Sequence, residues 1–595
     1  MTSSAPYRRS PDWRLILLAG AGAAVILVLR TLFARAELPF FADTDDAMRM
    51  VRVVDFIQGQ PWYDLTAYRL NTSFGAELHW SRLVDLPLAG LVMAFTPLLG
   101  ADLAIIATGY VWPMALLGVL LWISALLANR LVGPEGVLPA VVLPVLNPAI
   151  TAEFTPGRVD HHNLVIILTL ATAWASIEAL RRPRFAVLSG LLAATALAIA
   201  TEALPTIAAA ILVLGLLYVF DAGKAATMRN FGLAFAAGAM GHLALFRPPD
   251  RWLEPACDVL SPVYVGVALA VAAAFILASL IPARAAWQRF ALLALLGGLG
   301  MGLVALAWPQ CLQGPYGALD PWLQDNWIAN IVEAKPWLVS VFELPAYGFA
   351  VGLPALLGTL VVLYRVLRVR EDRGAWAALL VFLLCVALTM LAQVRGARLS
   401  VMPAMPAAAW LIVVARQRYL TSPRLANIAG LMGSWLAFSG VILALVVSQL
   451  TTLTPGRAQE VTAARASKEP CLLPAAFVAL AAMPPARIMS PIDLGAHIQL
   501  YTEHAVVAAP YHRNQQGVRD AFRFFNDPIA DARAVLAARD IGLVVLCPGM
   551  AELQGLPSRA EDSFAALYAQ DRLPAWLVAV SPPDSALTIY AVQPQ

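Results

Sequence analysis

The sequence predicts a polytopic α-helical membrane protein that ends in a smaller mixed α/β domain outside the bilayer. Three observations carry that prediction. Of 595 residues, 60% are hydrophobic and only 13% charged, with a mean hydropathy of +0.71; soluble proteins carry about 25% charged residues. Apolar runs long enough to cross a bilayer as helices recur along the chain up to Leu450. From Thr451 onward polar and charged residues return between short apolar segments, over a length that suits a small domain.

The first run, Leu15 to Phe33, follows Arg8, Arg9 and Arg14. It is longer than the core of a cleavable signal and lacks a small-residue cleavage site, so it reads as a retained anchor with a cytoplasmic N-terminus. A large first external loop follows, over residues 40–102. Leu88–Leu99 at its end is too short to span and reads as a partly embedded helix. The next spans are Leu103–Ala128, Val137–Ile150, Leu164–Leu180, Phe185–Ala200, Leu204–Phe220, Phe231–Phe246, Val263–Ile281 and Phe290–Trp308. After a long loop come Tyr347–Tyr364, Trp376–Leu391, Val401–Val414 and Ile428–Leu450, about 13 spans with the first. Basic residues test this register. Arg181, Arg182 and Arg184; Lys224 and Arg229; Arg284 and Arg289; Arg365, Arg368, Arg370 and Arg373; and Arg416, Arg418 and Arg424 all fall in turns assigned to the cytoplasm, as the positive-inside rule requires.

An odd number of spans places the tail outside, which divides the chain into a membrane domain, 1–450, and an external domain, 451–595. Within the tail, Ile541–Leu546 and Leu587–Val592 read as strands and Ile529–Arg539 as a helix. Cys257 and Cys311 fall in two external loops, Cys471 and Cys547 in the tail, and Cys385 inside a span. Two external pairs, Cys257–Cys311 and Cys471–Cys547, with one buried thiol suit an oxidising compartment; the alternative is that all five are small buried hydrophobes.

The stretch around which chemistry gathers is Phe41-Ala42-Asp43-Thr44-Asp45-Asp46-Ala47-Met48-Arg49-Met50-Val51-Arg52. Its carboxylates are either a hydrated helix anchor or oxygen ligands for a hard cation. Asp160, His161 and His162 precede another span on the same side, and Glu333 lies in the longest external loop between spans. Oxygen ligands with one imidazole suit magnesium or manganese better than zinc. Arg395 and Arg398 are external arginines that run against the charge bias; they read as phosphate-binding forks or as side chains snorkelling to headgroups. Glu178 and Glu202, near span ends, keep a transporter open. There is no GxxxxGK loop and no HExxH, and the basic residues are scattered over turns, which gives nucleic-acid binding no support.

Taken in order, these motifs resemble those of the catalytic subunit of oligosaccharyltransferases, the large GT-C membrane glycosyltransferases, along nearly the whole chain. Asp46 to Arg52 has the aspartate-to-arginine spacing of the family's FDPYFNYR-like motif, followed by Gly59 and Trp62-Tyr63-Asp64. Gly157-Arg158-Val159-Asp160-His161-His162 is similar to its G-x-Y-D-N-E motif, with Val159 for the tyrosine and His162 for the last acid. Ile331-Val332-Glu333 resembles the glutamate motif of the long loop, and Arg398-Leu399-Ser400 the arginine that contacts the lipid diphosphate. Pro491-Ile492-Asp493-Leu494-Gly495 stands where the family has WWDYG, and both tryptophans are gone.

The resemblance implies a GT-C fold with 13 spans and an inverting, metal-assisted glycosyl transfer from a polyprenyl-(di)phosphate donor at the periplasmic face of a bacterial inner membrane. It implies Asp46, Asp160 and Glu333 as catalytic residues, and Asp46, Asp160, His162 and Glu333 as ligands of magnesium or manganese. Asp43 and Asp45 are supporting or merely solvated in that assignment. Arg398 and Arg395 bind the donor phosphate, Asp493 contacts the acceptor, and the apolar spans groove the isoprenoid tail beside membrane lipid. Loss of the tryptophan pair turns the expectation away from an asparagine sequon, leaving a protein, a lipid or a polysaccharide as acceptor. The stretch Tyr501–Asn514, with His504, Tyr511, His512 and Arg513, is either a cleft lining or ordinary domain surface. A transporter or a scaffold without chemistry is the alternative to the enzyme.

Overall fold

The computed structural model describes residues 10–34, 37–451 and 466–593; Arg8 and Arg9, which flank the first run, lie outside the described residues. The helices in order are α1 (Trp13–Ala34), α2 (Thr44–Ile57), α3 (Arg82–Leu99), α4 (Ala101–Leu131), α5 (Val137–Val142), α6 (Pro148–Phe154), α7 (His162–Ala179), α8 (Arg184–Ile199), α9 (Leu204–Phe220) and α10 (Ala225–Phe246). They continue with α11 (Pro262–Leu280), α12 (Ala286–Ala307), α13 (Pro321–Asn326), α14 (Trp337–Glu343), α15 (Pro345–Arg368), α16 (Arg373–Ala392), α17 (Ala397–Thr421), α18 (Leu425–Phe438) and α19 (Gly440–Thr451). Among the described residues ten helices are long and apolar enough to cross a membrane, and twelve if two bent pairs each count as one. The first pair, residues 134–146 with Pro148–Phe154, bends by 73°, where Pro144 and Pro148 flank the extended Asn147. The second, α18 with α19, bends by 91° at Ser439. Two expected spans fall outside that count: α8 has only 16 residues, and α10 carries Arg229, Asn230 and His242.

Polar side chains sort the helix ends onto two faces. On one, Arg130 of α4 pairs with Glu178 and Asp372, Arg181 reaches the same Asp372, and Lys224 donates to the Leu180 carbonyl. Arg289 donates to the Val219 carbonyl, and Gln417 meets Glu135. On the other, Glu77 pairs with Arg251 and Arg513, and Asp258 with His512. Basic turns of the sequence thus gather on the face opposite these acidic and histidine side chains, a segregation that a bilayer between them explains.

The expected partly embedded segment Leu88–Leu99 belongs to a longer helix. α3 has 18 residues and is itself one of the ten helices long and apolar enough to cross a membrane. Phe40, ahead of α2, packs on Tyr110 of α4, ring centroids 5.0 Å apart.

The C-terminal domain is built on a five-stranded sheet in the order β4-β3-β5-β7-β6. Its strands are β3 (Arg487–Met489), β4 (Ala505–Val506), β5 (Leu543–Leu546), β6 (Leu577–Ala579) and β7 (Thr588–Val592); the first loop supplies β1 (Thr66–Ala67) and β2 (Ala76–Glu77) as an antiparallel pair. β3 runs parallel to β4 and β5, and β7 antiparallel to β5 and β6, with Val544 opposite Tyr590. All four residues of β5 are buried, as a central strand covered on both faces requires. The helix Gln515–Asn526 turns Val518, Ala521, Phe522 and Phe525 inward against the sheet core.

The first loop docks directly on this sheet. Val506 of β4 donates to the Arg69 carbonyl at 2.8 Å and accepts from the Thr72 amide at 3.1 Å, so the loop covers an otherwise open strand edge. Arg539, fixed by Asp520, donates to Asn71 Oδ1 and the Thr72 carbonyl. Both expected disulfides are present, and Cys385 is the free thiol.

Two measurements check this architecture. Thiol titration of the denatured, unreduced protein should find one free thiol, rising to five after reduction. In the C-terminal domain, burial and the nearby Asp493 charge push the Glu552 carboxyl up to about 7, while its Oε1 accepts the Ile492 amide at 2.8 Å. The folded state therefore holds a proton that the unfolded chain releases above about pH 4.5, and stability falls as pH rises from about 4.5 to 7. Glu552→Gln should raise stability at pH 8 by about 1–3 kcal/mol and flatten that slope in thermal unfolding.

Candidate active site

The three carboxylates of α2 have different partners. Asp43 caps the helix, its Oδ1 accepting the Asp45 amide at 3.0 Å. Asp46, one turn in, is fully buried. Its Oδ1 accepts the amides of Val159 and Asp160 at 2.7 and 2.9 Å, and Oδ2 takes Arg158 at 2.8 Å. Asp45 is half-buried and faces a cavity of about 420 Å³. The sorting follows from helix geometry, which points adjacent residues about 100° apart. The motif places Asp46 in the wall, with both oxygens engaged, and Asp45 in the opening.

Gly157 allows the second motif to meet α2. It has φ +95°, and a Cβ there would lie 2.0 Å from the Phe40 carbonyl oxygen; its amide donates to Gly109 of α4 at 2.8 Å. Only glycine meets both demands. The turn it makes presents Asp160 at the start of α7, where the Oδ1 atom accepts from Arg49 at 3.2 Å and lies 2.6 Å from His161 Nδ1. Oδ2 lies 2.5 Å from His162 Nδ1, and neither atom of that pair has a hydrogen bond among the described residues. His162 Nε2 lies 3.7 Å from Glu202.

Burial pushes the Asp160 carboxyl up, but the two imidazoles outweigh it and hold it well below the usual range. Burial and the Asp160 charge push Asp45 well up. Burial likewise raises Asp46, to about 7, against the pull of Arg158.

Across the cavity, Arg398 near the start of α17 donates to Glu333 at 2.6 Å and to Glu153 at 3.0 Å. Glu153 also pairs with Arg158 at 2.8 Å, so one carboxylate joins the Asp46 side to the Arg398 side. Arg395 lies 3.8 Å from Glu202 and over the Tyr316 ring. Tyr511 and His512 of the C-terminal domain close the cavity, and the Tyr511 hydroxyl donates to the Thr44 carbonyl at 2.9 Å. Asp493 does not line it; it lies 3.5 Å from Lys468. The stretch around it instead positions α2: His497 meets the Phe41 carbonyl at 2.8 Å, and a Cβ at Gly495 would lie 2.0 Å from the Ala508 carbonyl oxygen.

These motifs therefore meet at one cavity on one face, framed by 10–12 apolar helices and an α/β domain. No family model matches the chain, and no curated protein matches it. Solved structures do. The archaeal oligosaccharyltransferase AglB from Archaeoglobus fulgidus, in complex with an inhibitory peptide and a dolichol-phosphate, superposes with a TM-score of 0.67 at 15% identity, over 98% of this chain and 74% of that one. The chain has the oligosaccharyltransferase fold. The A. fulgidus enzyme tethered to an acceptor peptide containing the NVT sequon gives a TM-score of 0.62 at 15% identity, over 97% of this chain and 74% of that one. Its complex with Zn and sulfate gives 0.59 at 15% identity, over 97% and 73%. This is the GT-C architecture that the motif order implied.

On the oligosaccharyltransferase fold, the residues that the sequence singled out separate into three groups. His162, Glu333, Arg395 and Arg398 line the cavity, joined by Asp45; Asp160 is buried against the lining His161 and His162, Asp46 supports the wall, and Asp493 does not line the cavity. Glu202, flagged only as a span-end acid, also lines it. Sequence reasoning missed Glu153, Asp85 and Trp80. Asp85 carries no motif, yet it pairs with Arg49 at 2.8 Å, Arg52 at 3.1 Å and Arg82 at 3.2 Å, all buried. Arg49 lies 4.3 Å over the Trp80 ring, which lines the cavity. Their signal was the arginines that need a buried partner: those of α2 for Asp85 and Trp80, and Arg158 and Arg398 for Glu153.

Asp85→Ala should therefore destabilise the folded protein by about 3–5 kcal/mol, since it strips the shared partner from three buried cations. Thermal unfolding in detergent reads this.

Proposed function

We propose that the protein is a glycosyltransferase that moves a sugar or oligosaccharide from a polyprenyl-(di)phosphate carrier to an acceptor. The observation that carries this reading is the placement, in one cavity of about 420 Å³, of Asp45 and of His162, which buried Asp160 backs, together with Arg398 and Arg395. An anion-binding side and a carboxylate–imidazole side facing each other at a membrane boundary suit a lipid-linked phosphate leaving group. The oligosaccharyltransferase fold supports the same class. The neighbour in complex with dolichol-phosphate supports the donor, and the one crystallised with Zn and sulfate supports a divalent cation.

The residues present fit such a cation. One ligand atom from each of Asp160, His161 and His162 lies within 4.8 Å of the others, with Asp160 Oδ2 paired to His162 Nδ1 at 2.5 Å. Asp160, His161 and His162 would hold it, with Asp45 facing the same cavity, and imidazoles in the set favour manganese over magnesium. When bound, the cation supplies charge stabilisation for the departing phosphate.

The other roles belong to the chain. Arg398 is held in line by Glu153 and carries Glu333 as an exchangeable partner, 57% exposed; a donor phosphate takes the place of that carboxylate. The released Glu333 then faces the acceptor. Asp46 fixes Arg158 and the Val159–Asp160 backbone, so the wall does not reorganise during transfer. Attack in line from the acceptor side inverts the anomeric carbon. Asp493 lies away from the cavity and has no tryptophans beside it, which favours an acceptor other than an asparagine sequon: a lipid, a polysaccharide or another protein group. The charge segregation supports placing the basic face in the cytoplasm of a bacterial inner membrane and the site on the periplasmic side.

Release of radiolabelled sugar from polyprenyl-linked donors by the purified full chain tests this. Release should depend on manganese. It should fall more than about 100-fold in Asp45→Ala and Asp160→Ala and by about 10–100-fold in Arg398→Ala, as expected for lost electrostatic stabilisation. No release from any carrier, or release that all three variants retain, overturns the reading.

A further inference from the structure

The cavity has a second cluster of chemistry-bearing side chains that the proposed transfer does not use. His79, Asp258 and His512 lie together on the wall that the first loop, the loop before α11 and the C-terminal domain build jointly. One ligand atom from each of the three lies within 4.8 Å of the others. His512 Nε2 is 2.7 Å from Asp258 Oδ2, and the His79 and His512 rings stand 4.6 Å apart at 52°. His79 Nδ1 is buried and has no hydrogen bond among the described residues.

Ion pairing explains part of this cluster. Arg513 donates to both Asp258 oxygens, at 2.8 and 3.0 Å, and lies 3.3 Å from Glu77. A salt-bridge network alone would not bring a second imidazole, with an unsatisfied nitrogen, against the first. An outer arginine that fixes the plane of a carboxylate while a further lone pair points inward is the support that metal-binding carboxylates commonly have. Tyr316 stacks edge-on against His512 at 5.2 Å and fixes that ring from the other side. The Cys257–Cys311 disulfide ties the residue next to Asp258 to the segment carrying Tyr316. The three groups are therefore held before any ligand arrives.

We propose that His79, Asp258 and His512 form a site for a divalent cation of the zinc class, separate from the Asp160 group, and that the ion clamps the three segments around the cavity. Two imidazoles and one carboxylate suit zinc and its first-row neighbours and disfavour magnesium. The two clusters share no ligand, and Trp80, centred 6.4 Å from His161, stands between them. Each ligand comes from a different part of the chain, separated by well over a hundred residues, so an ion here closes long loops that hydrogen bonds otherwise hold.

Zinc titration of the full chain in detergent, after chelator stripping and against a chromophoric chelator, tests the site. The wild type should bind two equivalents. Asp258→Asn keeps the shape and the arginine contact of the side chain, and should lose one equivalent; Asp160→Asn should lose the other, and the double variant both. Zinc should raise the unfolding midpoint of Asp160→Asn by several degrees and leave that of the double variant unmoved. His79→Gln should match Asp258→Asn. A free-thiol count of one in each variant reports that the fold is kept. The proposal is overturned if Asp258→Asn and His79→Gln, so folded, bind as many equivalents as the wild type, or if Asp160→Asn alone removes all zinc. None of these readouts depends on sugar release, so they stand apart from the transferase reading.

Discussion

The carboxylate of Asp46 is the interaction on which the rest of the site depends. It is fully buried and accepts two backbone amides and a guanidinium. Leaving such amides unpaired away from water is costly, so this one side chain fixes how α2 meets the turn before α7. Once that junction is set, Asp45 faces the cavity and Asp160 is buried against His161 and His162, which line it. Arg158 extends the bracing to Glu153, and Glu153 to Arg398. Arg398, which lines the cavity, is thus aligned by a chain of charges that begins at Asp46.

A run of buried charge is tolerable here because every link is paired. Asp85 serves three arginines, and Arg49 adds the face of Trp80 and a second carboxylate, Asp160. Removing one member would leave the others desolvated, which is where such networks become expensive. The site therefore trades tolerance to substitution for fixed dipoles, and fixed dipoles are what stabilise developing charge without reorganisation. Its location follows from the bilayer: charge is confined to the two boundaries, and the boundary opposite the basic turns is the only place where a polar cavity of this kind can stand beside a lipid.

The fold was largely legible in the sequence because its signal is cumulative. Long apolar runs fix the helices, and Lys and Arg in the turns fix which ends share a face. The local breaks were less legible. The bend at Asn147 depends on the placement of Pro144 and Pro148, which leaves no apolar periodicity of its own. In the C-terminal domain, β5, β7 and the helix from Ile529 were read from apolar runs. β3, β4 and β6 were not, since strands of two or three residues are held by neighbours rather than by pattern. Glu153 and Asp258 belong to no motif; they are found only through the cations that need them.

Asp46 and Asp45 mark the limit of reading a site from spacing. The interval from Asp46 to Arg52 matches the family pattern, but spacing along a helix reports which residues share a face, not which face meets the ligand. Adjacent positions diverge by about 100°, so a one-residue choice decides between a wall and a ligand. The loss of the tryptophans around Asp493 poses the same question at domain scale. With that motif turned away, the C-terminal domain meets the cavity through Tyr511 and His512, one anchored on the first residue of α2 and the other on Asp258. A surface built from an aromatic hydroxyl and imidazoles recognises hydroxyl and phosphate-bearing groups by hydrogen bonds, and lacks the flat apolar slot that a tryptophan pair would provide. The domain thus meets the cavity with polar side chains, while Arg395, Arg398 and Glu333 stand on the part of the lining that the membrane helices and their loops supply.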